Sequence, residues 1–487
     1  MKKVIASVLS LAMVAALATG CNGNNGGDGT TTTTSDNGGG ATPTDTEAPT
    51  DTTATEKRTM TFGTGSEKIN LWSFTDEIPK MVGQYVKQKP EFGQKYTVEC
   101  TIIATDGGAY QTALDNALVA GGDTAPDMYA AEAAFILKYS QGDMAKFAAT
   151  YKELGIDVDA KIKEADIAKY TIEVGSRGGD LVALGYQATG CAMIYNAEVA
   201  KDTFGTDDPA KIEEIVGAGS GKWDKFFEAA AKLKEKGYAA VSGAGDIWNA
   251  CEKSADKAWI VDGQLNIDPK REQYLDIAKQ LKDNGWSNDA NAWSEAWYAD
   301  MKGEGAQKVF AFFGPAWLIN YTLAPNCGGE KTGEGTYGDW AICDSPIGFF
   351  WGGTWLLANK NMDADKVSAV KDIIQWITLD STDDGLQYKW ANGTLNGEGG
   401  TKDSVASGTV MEKSDGSLEF LGGQNMFDYF VPANTYANGK NLTQYDENIN
   451  LIWRDQVRAY AAGEKSREDA IKDFKQTVSD TLGIDAP

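Results

Sequence analysis

The first ordered pattern along the chain reads KINLWSFTDEIPKMVGQYVKQKPEFGQKYTVECTII, residues 68–103. Its first seven residues and the segment 96–103 are rich in β-branched and aromatic residues, which favours strands. Between them, apolar residues recur at helical spacing after Asp76, which is placed to begin a helix. A second helical pattern follows, and then the short apolar strand APDMYAA, residues 125–131. This alternation is typical of a parallel sheet with crossover helices.

The rest of the chain continues the α/β pattern on a scale that needs more than one core. Amphipathic helices are predicted over 222–237, 271–285, 365–380 and 466–483. A single core stops growing at about 250 to 300 residues, and the chain has 487 residues. We therefore predict an α/β body from about residue 59 to the end, divided into at least two lobes.

Charge and composition exclude several classes of function. The formal net charge is -25, and no stretch gathers Lys and Arg into a patch that could neutralise phosphates, so nucleic acid is not an expected partner. The chain contains no histidine, which is the commonest general base and the commonest metal ligand. These absences weigh against an enzyme, and we predict no enzymatic activity, no cofactor and no metal-ligand site, while a structural metal ion on a loop stays open.

The N-terminus has the pattern of an export signal over residues 1–20. Lys2 and Lys3 precede an apolar core, and small residues run directly into Cys21. This junction resembles the lipobox of bacterial lipoproteins, which implies a diacylglycerol thioether on Cys21. Secretion with a free cysteine, or a poorly formed transmembrane start, are the alternatives. Residues 21–58 have almost no large apolar side chains, which predicts a disordered tether that holds a folded body outside the cell membrane.

The other cysteines carry little information. Five remain after Cys21, with no CxxC pair and no metal-ligand spacing. Cys327 and Cys343 are the only two close enough in sequence to suggest a disulfide, and buried free thiols are the alternative.

Motifs for catalysis or phosphate binding are incomplete. The GxGxxG at 333–338 neither follows a clear strand nor opens a helix, and GAGSGKW at 217–223 lacks the Gly and Ser or Thr positions of a phosphate loop. DSTDDG at 380–385 lacks two acidic ligands of a calcium loop. Paired carboxylates for glycoside hydrolysis stay open, because 70 acidic residues always include some suitable pair.

Aromatic residues give the clearest functional pattern. The chain has 14 tryptophans, and several lie near Gly, Asn, Asp or Ser rather than on a plain apolar helix face. Sugars offer flat C–H faces surrounded by hydroxyls, so a sugar site needs aromatic platforms with carboxylates and amides at the rim. The candidates of this kind are Trp248, Trp293, Trp297, Trp317, Trp351 and Trp355.

Seven segments in order resemble one protein family. They are LWSFTDE, ALVAGGDTAPDMYAAE, LVALGYQATGCAMIYNAEVAKDTFG, KWDKFFEAAAKLKEKG, VFAFFGPAWLINY, FFWGGTWLLANKN and YAAGEKSREDAIKDF. The order is similar to that in the extracellular solute-binding proteins of carbohydrate ABC transporters, the maltose-binding-protein class. The resemblance implies a type II periplasmic-binding-protein fold, in which two α/β lobes enclose a sugar and close by hinge bending.

The resemblance also implies lobe boundaries and hinge segments. The N-lobe is expected to comprise residues 59–187 and 353–412, and the C-lobe residues 188–352 and 413–487. GYQATG is the first expected crossing between lobes. FFWGGTW is the second, and its Gly352 and Gly353 would give the backbone freedom needed at a hinge.

Positions matched to the family, together with the aromatic pattern, give a predicted sugar site. Its members are Trp72, Asp76, Glu132, Tyr186, Gln187, Thr189, Asp246, Trp248, Trp317, Trp351 and Trp355. Of the two tryptophans around the glycine pair, Trp351 is favoured as a sugar platform, while Trp355 fits either site or core. The aromatic-acid-Arg cluster that maltose binders carry after Pro-Asp is absent, so maltose is not implied as the ligand.

The sequence thus predicts a monomeric, lipid-anchored receptor that captures a mono- or oligosaccharide and delivers it to an ABC permease. Its expected mechanism is lobe closure around the sugar, with no chemical step. Two alternatives are a glycan-degrading lipoprotein and a surface sensor or adhesin that binds sugar without transport.

Overall fold

The structure is a computed structural model that describes residues 57–397 and 400–487. The predicted signal peptide, Cys21 and nearly all of the predicted tether lie outside the described residues. Within those residues, no helix has both the length and the apolar character needed to cross a bilayer.

The strands of the described residues form two main sheets and two short hairpins. In chain order they are β1 (Arg58–Phe62), β2 (Glu67–Ser73), β3 (Tyr96–Ile102), β4 (Met128–Glu132), β5 (Ser176–Arg177), β6 (Asp180–Leu181), β7 (Ala183–Gly185), β8 (Ala192–Asn196), β9 (Ile260–Val261), β10 (Gln264–Leu265), β11 (Ala311–Gly314), β12 (Trp340–Cys343) and β13 (Thr354–Ala358).

The first sheet has six strands in the order β1-β3-β2-β4-β13-β7. Its centre is parallel, since β2 pairs in parallel with both β3 and β4. The helices that connect these strands follow the predicted strand-helix alternation, which is therefore confirmed. β1, β13 and β7 add antiparallel strands outside that centre.

The second sheet has three strands, with β8 between β11 and β12, all antiparallel. Two isolated parallel bridges, Ala239 to Val309 and Val241 to Ser287, extend it beside β11. The extension brings the segments around residues 242 and 288 together at one edge of the sheet.

Helices cover both sheets. They are α1 (Glu77–Gln88), α2 (Pro90–Lys95), α3 (Ala109–Ala120), α4 (Ile136–Ser140), α5 (Val158–Ala165), α6 (Lys169–Val174), α7 (Ala197–Phe204), α8 (Pro209–Val216), α9 (Asp224–Glu235), α10 (Gly245–Lys253), α11 (Pro269–Asp283), α12 (Glu295–Met301), α13 (Ala316–Leu318), α14 (Val367–Thr378), α15 (Leu386–Ala391), α16 (Gly408–Met411), α17 (Phe427–Tyr436), α18 (Asp446–Ala461) and α19 (Arg467–Leu482). A π-helical turn, Ile319–Leu323, continues α13. Short 3-10 turns cover Asp106–Gly108, Ala145–Phe147 and Glu419–Leu421.

Helix starts follow ordinary capping chemistry where the sequence provides a cap. The Ser466 side chain accepts a hydrogen bond from the Asp469 amide at the start of α19, as its capping-box pattern predicts. Asp76 precedes α1 as expected, but its side chain makes no capping hydrogen bond. It pairs with Lys80 at 2.9 Å instead.

The chain passes between the two sheets at two adjacent segments. Residues 186–191 lead from β7 to β8, and residues 344–353 lead from β12 to β13. The two segments run antiparallel and are joined by a bridge between Gly190 and Phe350. The Trp351 amide donates to the Thr189 carbonyl at 3.1 Å, which ties the segments together.

β13 divides its side chains between two cores, because successive side chains along a strand point to opposite faces of the sheet. Trp355 and Leu357 belong to one buried cluster, whereas Leu356 and Ala358 belong to another on the opposite face. All five residues of the strand are buried. The strand is therefore covered on both faces.

The five cysteines that follow Cys21 are all buried free thiols. Cys327 and Cys343 do not form the disulfide that their spacing left open. Burial raises the pKa of both thiols, which keeps them protonated and unreactive.

Trp355→Ala tests whether this ring is core. Trp355 is 1% exposed, and its indole donates to the Thr171 carbonyl at 3.0 Å. We expect the change to lower the free energy of unfolding by about 3 to 5 kcal/mol, because it leaves a large cavity. Denaturant unfolding measures the loss.

Trp293→Ala is the control for that measurement, because this ring is 44% exposed and should cost much less stability. Equal losses for the two variants would contradict a core role for Trp355.

Candidate functional site

The two crossings form the floor of the site, and a glycine pair allows their close approach. Gly352 and Gly353 have φ values of +76° and +113°, which only glycine adopts readily. A β-carbon on Gly352 would lie 3.2 Å from the indole nitrogen of Trp317. The Thr189 hydroxyl donates to the Gly352 carbonyl at 2.9 Å, which fixes the floor from the other crossing.

Three tryptophans cluster at one end of this floor. Trp317 and Trp351 pack edge to face with centroids 4.8 Å apart, and the Trp317 indole donates to the Trp351 carbonyl at 3.1 Å. Trp293 lies nearly parallel to Trp317, with an interplanar angle of 12° and a centroid distance of 6.2 Å. Trp293 is 44% exposed, and the other two are partly exposed. We call these three residues the tryptophan cluster.

Polar groups extend from the tryptophan cluster toward the first sheet. Tyr321 follows Trp317 by about one helical turn and is 45% exposed. Burial of its hydroxyl raises the pKa of Tyr321, and the charges of Asp403 and Glu77 raise it further. Tyr186 donates to the Glu77 carboxylate, and its ring packs edge to face on Trp390 at 5.8 Å.

Glu77 and Asp403 form the acidic end of the site. The carboxylate of Asp403 accepts hydrogen bonds from Gln187 at 3.0 Å and Trp390 at 3.4 Å. Burial raises the pKa of Asp403 to about 7, and the charge of Glu77 adds to the rise. Burial raises the pKa of Glu77 as well, although the hydrogen bond from Tyr186 partly offsets this rise. Glu77 is partly exposed, whereas Asp403 is buried.

A second acidic group lies on the other side of the crossings. Glu132, at the end of β4, accepts from the Ala134 amide at 2.7 Å. Burial raises the pKa of Glu132 to about 7, the charge of Glu447 raises it, and that of Lys253 lowers it. Lys253 lies 2.9 Å from Glu252 and 5.3 Å above the Phe350 ring. Charged groups from the end of β4, from α10 and from α18 thus interact with one another.

Three of the predicted sugar contacts lie within packed cores. Trp72 belongs to the buried cluster beneath β4, Trp248 packs on Tyr274 at 4.8 Å, and Trp355 fills the core described above. They are 9%, 4% and 1% exposed, respectively. Their rings are covered by protein, so they have no free face on which a sugar could stack, and we leave them out of the proposed site.

Other predicted contacts are held by hydrogen bonds within the protein. The Thr189 side chain is hydrogen-bonded to Tyr170 and to the Gly352 carbonyl, and the Gln187 side chain donates a hydrogen bond to Asp403. Both carboxylate oxygens of Asp246 accept hydrogen bonds from the protein, and Asp246 is 8% exposed. These residues shape the floor and its surroundings. Asp76, Glu132, Tyr186, Trp317 and Trp351 are the other predicted members, and all except Tyr186 are partly exposed.

Several site residues were absent from the predicted set. Glu77 follows Asp76 directly, and Tyr321 follows Trp317 by about one turn, so a local extension of the matched motifs would have found both. Trp293 already belonged to the unusual aromatic positions. Asp403 has no local signal, because its partner Gln187 is 216 positions away.

The described residues hold no group of three or more Cys, Asp or Glu side chains arranged for a metal ion. The segment 333–338 forms turns before β12, in agreement with its interpretation as a loop.

Several solved structures share this architecture. An extracellular solute-binding protein of family 1 superposes with a TM-score of 0.67 at 16% identity, over 85% of this chain and 99% of its own. A second structure is the galacto-N-biose-/lacto-N-biose I-binding protein of the ABC transporter from Bifidobacterium longum, in complex with lacto-N-biose. It superposes with a TM-score of 0.63 at 16% identity, over 87% of this chain and 100% of its own. The sugar-binding protein MalE from Xanthomonas citri superposes with a TM-score of 0.62 at 15% identity, over 85% of this chain and 97% of its own. The predicted two-lobed periplasmic-binding-protein fold is confirmed.

Family membership follows from the sequence itself. The sequence pattern of the bacterial extracellular solute-binding proteins matches residues 84–414. The chain belongs to this family. A comparison with curated protein sequences gives no match.

Asp403→Asn tests the electrostatics of the acidic end. Because the folded-state pKa of about 7 lies above the unfolded value, Asp403 should cost stability as the pH rises from about 4 to 7. We expect the stability of the variant relative to wild type to increase across this window and to level off above it. Thermal unfolding between pH 4 and 9 measures the difference.

Asp415→Asn is the control, because hydrogen bonds lower the pKa of this exposed carboxyl. Its contribution to stability therefore changes only at pH values below the window from about 4 to 7. If the difference in stability between wild type and Asp403→Asn does not change with pH, Asp403 is not a buried carboxyl with a pKa near 7.

Proposed function

We propose that this protein is the carbohydrate receptor of an ABC importer. It captures a mono- or oligosaccharide over the crossing segments and presents it to the membrane permease. The observation that carries the proposal is the tryptophan cluster, with its exposed Trp293, beside the partly exposed carboxylate of Glu77. Flat rings next to hydrogen-bond acceptors suit the C–H faces and hydroxyls of a sugar.

Several further features support sugar binding. Two of the structural relatives named above are sugar-binding proteins by their descriptions, and one of them holds lacto-N-biose. Tyr321 and Glu132, which are at least partly exposed, add a hydroxyl and a carboxyl group that could bind sugar hydroxyls. The low fraction of basic groups around the site favours a neutral ligand over an anionic one.

Closure of the two lobes supplies the mechanism. Glu77 and Tyr186 belong to elements of the first lobe, and the tryptophan cluster belongs to the second lobe and to the crossing. A sugar that contacts both sets binds the closed form better than the open form, and it shifts the population accordingly. We propose lobe boundaries at residues 187 and 353, with 353–412 in the first lobe and 413–487 in the second.

The location follows from the sequence pattern at the N-terminus. Cys21 would carry the lipid, and residues 21–58 would let the receptor reach the permease from the outer surface of the membrane. We propose a monomer that binds one sugar and carries out no bond cleavage.

Trp351→Ala should weaken sugar binding while the fold is retained. An aromatic contact contributes about 0.5 to 1.5 kcal/mol beyond its buried area, so the loss should reach about tenfold in Kd. Titration calorimetry against neutral mono-, di- and oligosaccharides, lacto-N-biose and maltose among them, measures it.

Trp286→Ala is the matched control, since this partly exposed tryptophan stacks on Phe227 away from the site. Unchanged affinity in a folded Trp351→Ala protein would remove this ring from the site.

Prolonged incubation with the same sugars distinguishes a receptor from a glycan-degrading enzyme. We expect each oligosaccharide to be recovered intact, because the proposed mechanism is closure without a chemical step. Chromatography of the sugars detects products, and hydrolysis that is lost in Glu77→Gln would overturn the receptor proposal in favour of the enzyme.

A further inference from the structure

The exposed tryptophan of the cluster has an unusual backbone. Trp293 has a φ of +69°, whereas the other left-handed non-glycine residues in the described ranges are all aspartates. Aspartate tolerates this region, but a bulky ring does not. A backbone of this kind is strained and persists only where the surroundings enforce it. The groups that hold Trp293 in place can therefore be identified.

One support is the buried carboxylate of Asp300 on α12. The side-chain amide of Asn288 donates a hydrogen bond to this carboxylate at 2.6 Å, and the Ser242 hydroxyl donates another at 2.5 Å. Ser242 also accepts, through its carbonyl, a hydrogen bond of 3.1 Å from the Ala290 amide. The Asp300 carboxylate thus joins the loop 288–293 to the edge of the second sheet.

The other support is Asp246 at the start of α10. One of its oxygens accepts from the Trp297 indole at 2.9 Å, and the other from the Gly243 amide at 3.0 Å. The Trp297 ring is 1% exposed and packs against Trp293 with a centroid distance of 5.2 Å. Asp246 therefore fixes the ring on which the exposed tryptophan rests.

These contacts fit the ionised form of Asp246. Both of its oxygens face N–H donors, so an added proton would replace an acceptor by a second donor. The titratable groups that face Asp246 are Asp300 on α12 and Tyr274 on α11. Burial raises the pKa of Asp246 to about 7, and the charge of Asp300 adds to the rise. Burial raises the pKa of Asp300 too.

We propose that Asp246 and Asp300 are positioning residues for Trp293, and that protonation of Asp246 loosens this platform and weakens sugar binding toward acidic pH. This inference rests on the proposed function, in which the tryptophan cluster stacks on a sugar. It gives a chain without histidine a pH response near neutrality. Asp246 then acts through Trp297 and does not itself touch the ligand.

The first experiment needs no ligand. The three close indoles of the tryptophan cluster should give an exciton signal in far-ultraviolet circular dichroism, and Trp293→Phe should remove much of it. In the wild-type protein we expect this signal to change with pH, with a midpoint near 7. In Asp246→Asn the change should be absent, because residue 246 no longer titrates.

The second experiment measures affinity for whichever neutral disaccharide binds, with lacto-N-biose and maltose as the first probes. Asp403 and Glu132 at the site also have a pKa of about 7, so the comparison is between proteins. From pH 8 to 5.5 the wild-type affinity should fall by about two- to tenfold more than that of Asp246→Asn, the equivalent of one hydrogen bond. Asp246→Asn should already have the weaker affinity at pH 8 and should match the wild type at pH 5.5. Trp297→Phe, which keeps a ring but removes the N–H donor, should behave in the same way if Asp246→Asn does not fold.

Asp339→Asn is the control, because Asp339 is another second-lobe carboxyl whose pKa is raised by burial. It should leave both pH responses unchanged. A wild-type exciton signal that does not change with pH, or an affinity response as large in Asp246→Asn and Trp297→Phe as in the wild type, would overturn the inference while the receptor function stands. Absence of binding to any sugar would overturn the proposed function, and the ligand-free titration would still test the link from Asp246 to Trp293.

Discussion

The hydrogen-bonded pairing of the two crossing segments is the constraint on which the rest of the molecule depends. The Trp351 amide binds the Thr189 carbonyl, and the Thr189 side chain binds the Gly352 carbonyl in return. This arrangement needs two successive left-handed residues, which explains the glycine pair between two tryptophans. It also sets where the lobes meet, because every group of the site is arranged around these paired segments.

The glycines separate two rings with opposite roles. Trp355 continues into β13 and fills the core, whereas Trp351 stays outside the strand and joins Trp317 and Trp293. A large apolar ring stabilises the fold when it is buried, but an exposed ring keeps its position only if neighbouring residues hold it by packing and hydrogen bonds. Trp297, Asp246 and Asp300 provide that support, at the cost of two carboxyl groups in the interior.

Local periodicity was sufficient to predict the parallel centre of the first sheet, because its alternating strands and helices depend on neighbouring residues. It could not separate buried from exposed tryptophans. Trp248 and Trp293 have similar sequence surroundings, yet one packs on Tyr274 from α11 and the other is held out by a left-handed backbone. The acidic end was also beyond the reach of sequence, because Gln187 and Asp403 meet only through the fold.

The placement of β13 has a consequence for how the chain reaches its native state. This strand lies between β4 and β7, and its Ala358 pairs with Met128. The first sheet therefore contains a gap until the intervening second-lobe residues have been made and the chain has returned. Contacts so distant in sequence slow folding, because a long loop must close before they form. A chain that is synthesised from its N-terminus therefore keeps the apolar flanks of β4 and β7 uncovered during that interval, and these flanks are covered only when β13 inserts between them.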